Sequence, residues 1–161
     1  MSGDELMYYT GKHAAWIADE LWDALDEQRQ RMMLWGVAPE EKYAQFVETI
    51  SQADVVCIAY RNGEVFCFAW AAKIMPGSRT AHAHFAFTGE VDVNVTKAFI
   101  DDVRETGMYD SLFAIQPLAY KGARKHAIDL GFKVLGNVPG LLQMYGREKP
   151  CTAVLLVKDM R

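Results

Sequence analysis

Hydrophobic positions along the chain fall into helical and strand-like stretches that follow one another. Residues 6–10 form a short apolar and aromatic run that predicts a first strand. From His13 onward, apolar residues recur every three or four positions with acidic residues between them, which predicts an amphipathic helix ending near Gly36. Pro39 stands where a first helical turn accepts proline, and an apolar stripe follows it as far as Ile50. Two successive helices are therefore expected before the main run of strands.

The strongest local signal is a β-hairpin. Residues 54–60 and 64–75 are rich in β-branched and aromatic side chains, and the Asn62-Gly63 pair between them is typical of a type I′ turn. Both faces of this hairpin carry apolar residues, so we expect helices on both sides of the sheet.

The three cysteines of the chain, Cys57, Cys67 and Cys151, have neither a paired spacing nor a partner histidine, so no metal site is expected. With a two-residue turn, Cys57 lies opposite Phe68 and Cys67 opposite Ile58. This register directs the two thiols to opposite faces of the sheet and excludes a disulfide between them. Reduced thiols are typical of a cytoplasmic protein.

The rest of the chain alternates between strands and helices. In the third antiparallel strand, predicted over residues 81–87, His82 and His84 share one face while Phe85 and Phe87 share the other. The later elements are expected as a helix at 95–103, a strand at 111–115 stopped by Pro117, a helix at 118–130 ended by Gly131, and strands at 133–138 and 153–157.

Composition indicates one globular domain spanning residues 1–161, with 51% hydrophobic and 24% charged residues. A net charge of -4 and the absence of a basic run argue against binding to nucleic acid. No apolar stretch reaches the ~18 residues that a membrane span requires, and the first residues are acidic where a signal peptide is basic. We therefore expect a cytoplasmic protein that binds no membrane.

The order of these elements, together with one segment, resembles the GNAT superfamily of N-acetyltransferases. The segment runs from Tyr120 to Phe132, and its Ala123, Leu130, Gly131 and Phe132 match the family's fourth helix. The resemblance covers nearly the whole chain. It implies an α/β (α+β) single-domain fold with a mixed, mostly antiparallel central sheet, helices on both faces, and central strands that splay. It also implies acetyl-CoA as co-substrate and an amine acceptor on a small molecule or a protein.

Two departures from the family pattern concern the acyl donor. Where the family carries an Asn and often a Tyr in this helix, the chain has Tyr120 and Ala127. Where the family has spaced glycines whose N–H groups hold the pyrophosphate of coenzyme A, residues 88–94 offer one glycine together with Glu90 and Asp92. The chain resembles small GNAT-like proteins of tailed bacteriophages in this loss. A non-catalytic interaction protein of phage or prophage origin is therefore a second hypothesis.

The resemblance also assigns candidate catalytic residues. Acetyl transfer needs a base for the ammonium proton, a donor that polarises the thioester carbonyl, and an acid or water for the thiolate. His84 and His82 lie on the strand that borders acceptor and cofactor in the family, and imidazole titrates near neutrality, so either is a candidate base. The alternative is that both are strand residues hydrogen-bonded to neighbours. Tyr120 is the candidate replacement for the missing acid.

Cofactor contacts are expected along the same strand and the loop after it. Backbone N–H groups near Phe85 and Phe87 are expected to bind the pantetheine arm and to polarise the carbonyl. His126 is expected to be an interior residue with a satisfied ring nitrogen, and oligomeric state stays open, with a homodimer among the alternatives. The remaining expected contacts to coenzyme A are Thr88, Gly89, Asn94, Tyr120 and Arg124, of which Arg124 equally fits a solvated surface charge.

Overall fold

Within residues 3–161, the part of the chain that the computed structural model describes, seven strands form one sheet. Their order is β1-β2-β3-β4-β5-β7-β6, and β4 and β5 are parallel while the other neighbours are antiparallel. The predicted mixed, mostly antiparallel sheet is confirmed. The strands are β1 (Glu5–Tyr9), β2 (Val55–Arg61), β3 (Glu64–Lys73), β4 (Thr80–Phe87), β5 (Ser111–Pro117), β6 (Lys133–Leu142) and β7 (Cys151–Asp159).

Helices cover both faces of the sheet, as expected. The first predicted helix is interrupted, however, because Leu25 has an extended backbone and the Asp26 carboxylate accepts a hydrogen bond from the Arg29 N–H (2.8 Å), which starts a new helix. The helices are α1 (Gly11–Ala14), α2 (Ala18–Ala24), α3 (Glu27–Met32), α4 (Lys42–Gln52), α5 (Val93–Thr106) and α6 (Lys121–Asp129), with 3₁₀ turns at Ala15–Ile17 and Pro39–Glu41. No helix within residues 3–161 is long and apolar enough to cross a membrane.

The hydrophobic core has two layers, one on each face of the sheet. On one face, α1, α2 and α4 pack on the apolar side chains of β2 and β3, and Phe46 of α4 and Phe68 of β3 are fully buried. On the other face, Phe99 of α5 and Ala127 of α6 are buried against the sheet. A sheet covered on both faces matches the apolar composition of both sides of the hairpin.

The β2–β3 hairpin has the predicted turn but not the predicted register. Asn62 and Gly63 have φ values of 55° and 79°, as a type I′ turn requires. Pairing shifts between Ala59 and Tyr60, because Ala59 lies opposite Cys67 while Tyr60 lies opposite Val65. Phe66 is therefore an extra residue on β3, a β-bulge.

The bulge overturns the predicted orientation of the cysteines. Cys57 lies opposite Ala69, not Phe68, and Cys67 lies opposite Ala59, not Ile58. Residues that face each other across two strands share a side of the sheet, so both thiols lie on the face covered by α5 and α6. Both are free thiols, and neither is bonded to the other.

The sheet opens between β4 and β5. These strands pair only at Thr80 with Ser111, Ala81 with Leu112 and His82 with Phe113. Beyond that level β4 stays paired with β3 as far as Phe87, and β5 stays paired with β7 as far as Pro117. The predicted splay of the central strands is confirmed, and we call the opening between residues 84–87 of β4 and 114–117 of β5 the gap.

Candidate functional site

The gap is bordered along one side by backbone groups of β4. In an antiparallel pair, the N–H and C=O groups of successive residues point alternately toward and away from the partner strand. The Thr88 N–H donates to the Phe66 carbonyl (3.0 Å), so even-numbered residues of β4 turn toward β3. The N–H groups of Phe85 and Phe87 therefore point into the gap.

The side chains of Phe85 and Phe87 form the wall of the gap beneath α6. The His126 ring stands edge-on to both, with centroid distances of 5.5 Å and 5.3 Å. Its Nε2 lies 2.9 Å from the hydroxyl of the fully buried Thr96 on α5. The ring nitrogen of His126 is thus satisfied, as predicted, and burial lowers the pKa of this imidazole.

A cleft of about 330 Å³ lies on the opposite face of the sheet, at the end where β4 and β5 are still paired. His82 and His84 both face it, and their ring centroids are 4.1 Å apart. The structure therefore brings the two predicted bases together. The cleft is lined by Thr49, Gln52, Trp70, Ala72, Lys73, Ile74, His82 and His84.

The two histidines differ in their surroundings. Burial, and next the neighbouring His82, lower the pKa of His84 to about 3, and burial alone lowers the pKa of His82. Both rings are therefore neutral at pH 7. The buried Nε2 of His82 has no hydrogen-bond partner within residues 3–161. The alternative that both histidines are hydrogen-bonded to neighbours therefore does not hold for His82 Nε2.

The loop after β4 is held by its own side chains. The Thr88 hydroxyl donates to the carbonyls of Val65 and Phe66 (both 3.1 Å), so Thr88 extends the β3–β4 pairing. Gly89 is exposed, with open space where a Cβ would stand. The Asn94 N–H donates to the Asp92 carboxylate (3.1 Å). Thr88 and Gly89 thus follow β4 and Asn94 lies in the first turn of α5, and each of the three residues has a polar group that is already bonded within the chain.

Tyr120 and Arg124 lie at the far, open end of the gap. The Tyr120 N–H donates to the Pro117 carbonyl (2.9 Å), and the Tyr120 ring meets Trp35 edge-on at 6.3 Å. Phe113 of β5 pairs with His82 of β4. Pro117 lies four residues further along β5, a distance of about 13 Å. The structure therefore does not bring the Tyr120 backbone close to the two histidines.

This end also differs from the predicted fourth helix. α6 begins at Lys121 rather than at residue 118 because Leu118–Tyr120 forms a turn after Pro117. Ala119, Gly122 and Ala123 are exposed. The Arg124 guanidinium donates to the Leu118 carbonyl (3.0 Å), which ties it to this turn.

Sequence reasoning missed two arginines beside the loop. Arg61 of β2 forms two hydrogen bonds of 2.8 Å with Asp4 and one of 3.0 Å with Asp92. Arg29 of α3 pairs with Asp26 and donates to the Gly89 carbonyl (3.1 Å). Local patterns carry no signal for these contacts, since Arg61 and Asp92 are 31 residues apart. Within residues 3–161, no group of three or more His, Cys, Asp or Glu side chains lies close enough to hold a metal ion.

Sequence comparisons find no relatives for this chain. No protein-family model matches it. A search of curated proteins also finds no match.

Solved structures, in contrast, match over nearly the whole chain. The Salmonella typhimurium protein yncA, solved with its cofactor acetyl-CoA, is 14% identical with a TM-score of 0.68, covering 99% of this chain and 95% of that one. A ribosomal-protein-alanine N-acetyltransferase from Brucella melitensis is 18% identical with a TM-score of 0.68, covering 96% and 99%. An acetyltransferase of the GNAT family from Streptococcus pneumoniae is 13% identical with a TM-score of 0.66, covering 96% and 99%.

Proposed function

Because the chain has the GNAT fold, we propose that it is an acetyltransferase that moves an acetyl group from acetyl-CoA to an amine of a small molecule or a protein. One observation carries the proposal. The gap between β4 and β5, bordered by the N–H groups of Phe85 and Phe87, opens from the level of the cleft that holds His82 and His84. The Salmonella protein with the same fold binds acetyl-CoA.

The residues present fit the pantetheine arm of the donor. That arm is an extended chain with two amide groups, and amides pair with the free edge of a strand. β4 offers such an edge at Phe85 and Phe87, past its last pairing with β5. In this proposal the two N–H groups hold the arm and polarise the thioester carbonyl as negative charge develops on its oxygen.

Acetyl-CoA supplies a thioester, whose carbonyl carbon forms a C–N bond with the amine while the C–S bond breaks and the thiolate leaves with its electron pair. The attacking nitrogen must lose a proton, and His82 receives it at Nε2. The His82 ring lines the cleft and is neutral at pH 7, and its buried Nε2 has no hydrogen-bond partner within residues 3–161. The thiolate takes its proton from water.

His84 has a positioning role in this scheme. With a pKa of about 3 it is too weak a base to hold an ammonium proton. Its ring packs between Trp70 and His82, at 4.7 Å and 4.1 Å. His84 therefore fixes the orientation of the His82 ring.

The second hypothesis, a non-catalytic interaction protein, has one observation in its favour. The start of α5, where an anion would bind, is occupied by Asp92, which Arg61 holds in place. A protein of this kind keeps the fold but binds neither coenzyme A nor acetyl-CoA.

Thermal unfolding with and without millimolar acetyl-CoA and coenzyme A separates the two hypotheses. A ligand at ~100 times its Kd adds roughly 2.7 kcal/mol to the folded state, which raises the Tm of a domain of this size by about 5–10 °C. If neither ligand raises the Tm, the proposal that the protein is an acetyltransferase is contradicted.

Acetyl transfer to a panel of amines then tests the assigned base. His82→Asn is expected to lower kcat about 10²- to 10⁴-fold, the usual contribution of a general base. His13→Asn, on the exposed side of α1, is the matched control and is expected to leave kcat unchanged. Equal kcat values for His82→Asn and the control would rule out His82 as the base.

A further inference from the structure

Resting on the function proposed above, we propose that the acyl donor is recognised as a pantetheine thioester along β4, and that Asp92 selects against a diphosphate at the start of α5. The chain then uses thioesters that carry the pantetheine arm but lack the nucleotide, such as S-acetylpantetheine, about as well as acetyl-CoA. In either case the acetyl group passes to the amine, the C–S bond breaks, and the free thiol is released.

The place for an anion at the start of α5 is filled by the chain itself. The first N–H groups of a helix lack partners inside the helix and attract negative charge. Here the Asp92 carboxylate accepts the Asn94 N–H at 3.1 Å. A phosphate at this point would meet a carboxylate already bonded to the N–H group it needs.

Arg61 holds Asp92 in this position. Its guanidinium forms two hydrogen bonds of 2.8 Å to Asp4 and one of 3.0 Å to Asp92, and it lies 3.7 Å from the centre of the Phe66 ring. The two carboxylates bind the edge of the guanidinium, and the Phe66 ring packs against its flat face. The side chain therefore has little freedom to turn. Arg61 therefore gives a phosphate no free cation unless it first releases a carboxylate.

The charges around the loop also oppose a diphosphate. Arg29, the other nearby cation, pairs with Asp26 and donates to the Gly89 carbonyl. Together with the exposed Glu90, these contacts involve four carboxylates (Asp4, Asp26, Glu90 and Asp92) and only two guanidiniums (Arg29 and Arg61), so the six groups carry net negative charge. Like charges within a few ångströms disfavour each other, so this net charge repels an anion.

The β4 edge has none of these obstacles. The N–H groups of Phe85 and Phe87 are uncharged donors, and they lie past the last residue pair that joins β4 to β5. Recognition therefore falls on the amide part of the donor rather than on its phosphates.

The experiment compares two donors and two variants. In the wild-type protein, kcat/KM for acetyl-CoA is expected to exceed that for S-acetylpantetheine less than fivefold. Asp92→Asn keeps a good N-cap residue, so α5 should still form, and it removes the negative charge. This variant is expected to raise kcat/KM for acetyl-CoA at least tenfold and to leave the value for S-acetylpantetheine unchanged. Asp101→Asn removes the same charge in the middle of α5 and is the matched control, expected to change neither value.

The same comparison by equilibrium binding does not depend on turnover. Calorimetry with coenzyme A and with pantetheine is expected to show at least tenfold tighter binding of coenzyme A to Asp92→Asn, and equal binding of pantetheine to variant and wild type. If this pattern appears and no acetyl transfer is found, the proposed function fails while the assignment of Asp92 holds. A wild-type preference for acetyl-CoA above fivefold, or an Asp92→Asn variant that affects both ligands equally or neither, overturns the inference.

Discussion

The imidazole of His84 stacks on the indole of Trp70, with ring centroids 4.7 Å apart and ring planes inclined by 11°. The two residues face each other across β3 and β4, which sets the distance between their backbones. On its other side His84 meets His82. The stack thus covers one face of the His84 imidazole with the indole of Trp70.

The lowered pKa of His84 predicts a dependence of stability on pH. The folded pKa of His84 is about 3, below the ~6.5 of an unfolded histidine. Between these values the unfolded chain binds more protons, so the stability that His84 confers is complete above pH ~6.5 and is lost as the pH falls toward 3. His84→Phe keeps a flat ring on Trp70 and removes the titration.

The Tm of the wild-type protein is therefore expected to fall more steeply between pH 7 and pH 4 than that of His84→Phe. Thermal unfolding at intervals of half a pH unit measures the difference between the two curves, which removes the common contribution of the carboxylates. Parallel curves would show that His84 is accessible to protons in the folded state.

Thr96 and His126 form a second polar contact, between α5 and α6. Thr96→Val keeps the shape of a fully buried side chain but removes the hydroxyl that lies 2.9 Å from His126 Nε2. We expect a loss of about 1–2 kcal/mol in the free energy of unfolding, since a half-buried ring nitrogen loses its partner. Urea denaturation measures it. Thr49→Val, whose hydroxyl bonds only the Gln45 carbonyl of its own helix, is the control and should change stability by less than about 0.5 kcal/mol.

Arg61 stabilises the fold, in addition to holding Asp92 in position. Its two bonds satisfy Asp4, whose side chain is 5% exposed, and they lower the pKa of that carboxyl. Arg61→Met leaves a buried carboxylate without a partner. Since the Arg61 side chain is itself 37% exposed and screened by water, we expect a modest loss in the free energy of unfolding that is larger than the loss in Arg31→Met. Arg31→Met removes an exposed pair with Glu27 and should cost less than about 0.5 kcal/mol by the same denaturant titration. Equal losses for the two variants would contradict a structural role for Arg61.

The three cysteines are expected to differ in reactivity. Burial raises the pKa of Cys57 to about 12 and also raises that of Cys67, and the thiolate is the reactive form. Cys151 is partly exposed. Alkylation at pH 8 followed by mass spectrometry should label Cys151 first and the other two only after unfolding. In Cys151→Ser, rapid labelling of the folded protein would contradict this placement of Cys57 and Cys67.

The predicted faces of β4 and the errors in β2–β3 have a common cause. Strict alternation placed His82 and His84 on one face and Phe85 and Phe87 on the other, which is correct because β4 runs without a bulge from Thr80 to Phe87. The same reasoning failed for the cysteines because the extra residue Phe66 shifts the pairing of every later β3 residue by one position. No residue pattern in the hairpin indicates where a bulge will fall.

The candidate site also has one part that the sequence predicts and another that it does not. The pair of histidines follows from their spacing of two residues on one strand, and the loop residues follow from their place between β4 and α5. The links of Arg61 to Asp4 and Asp92 join residues 57 and 31 positions apart, so only the folded sheet brings them together. The interruption at Leu25 had a local signal, since Asp26 is a preferred N-cap residue, but the apolar periodicity across it outweighed that signal.

The gap between β4 and β5 also gives the molecule a free strand edge in its interior. Edges at the border of a sheet pair readily with other chains, which leads to aggregation. Here the N–H groups of Phe85 and Phe87 lie between two halves of one sheet, with α6 on one side and the segment around Trp35, tied to Tyr145 by a 2.7 Å hydrogen bond, near the open end. This edge therefore faces β5 of the same chain rather than the border of the sheet, where a neighbouring molecule would add a strand.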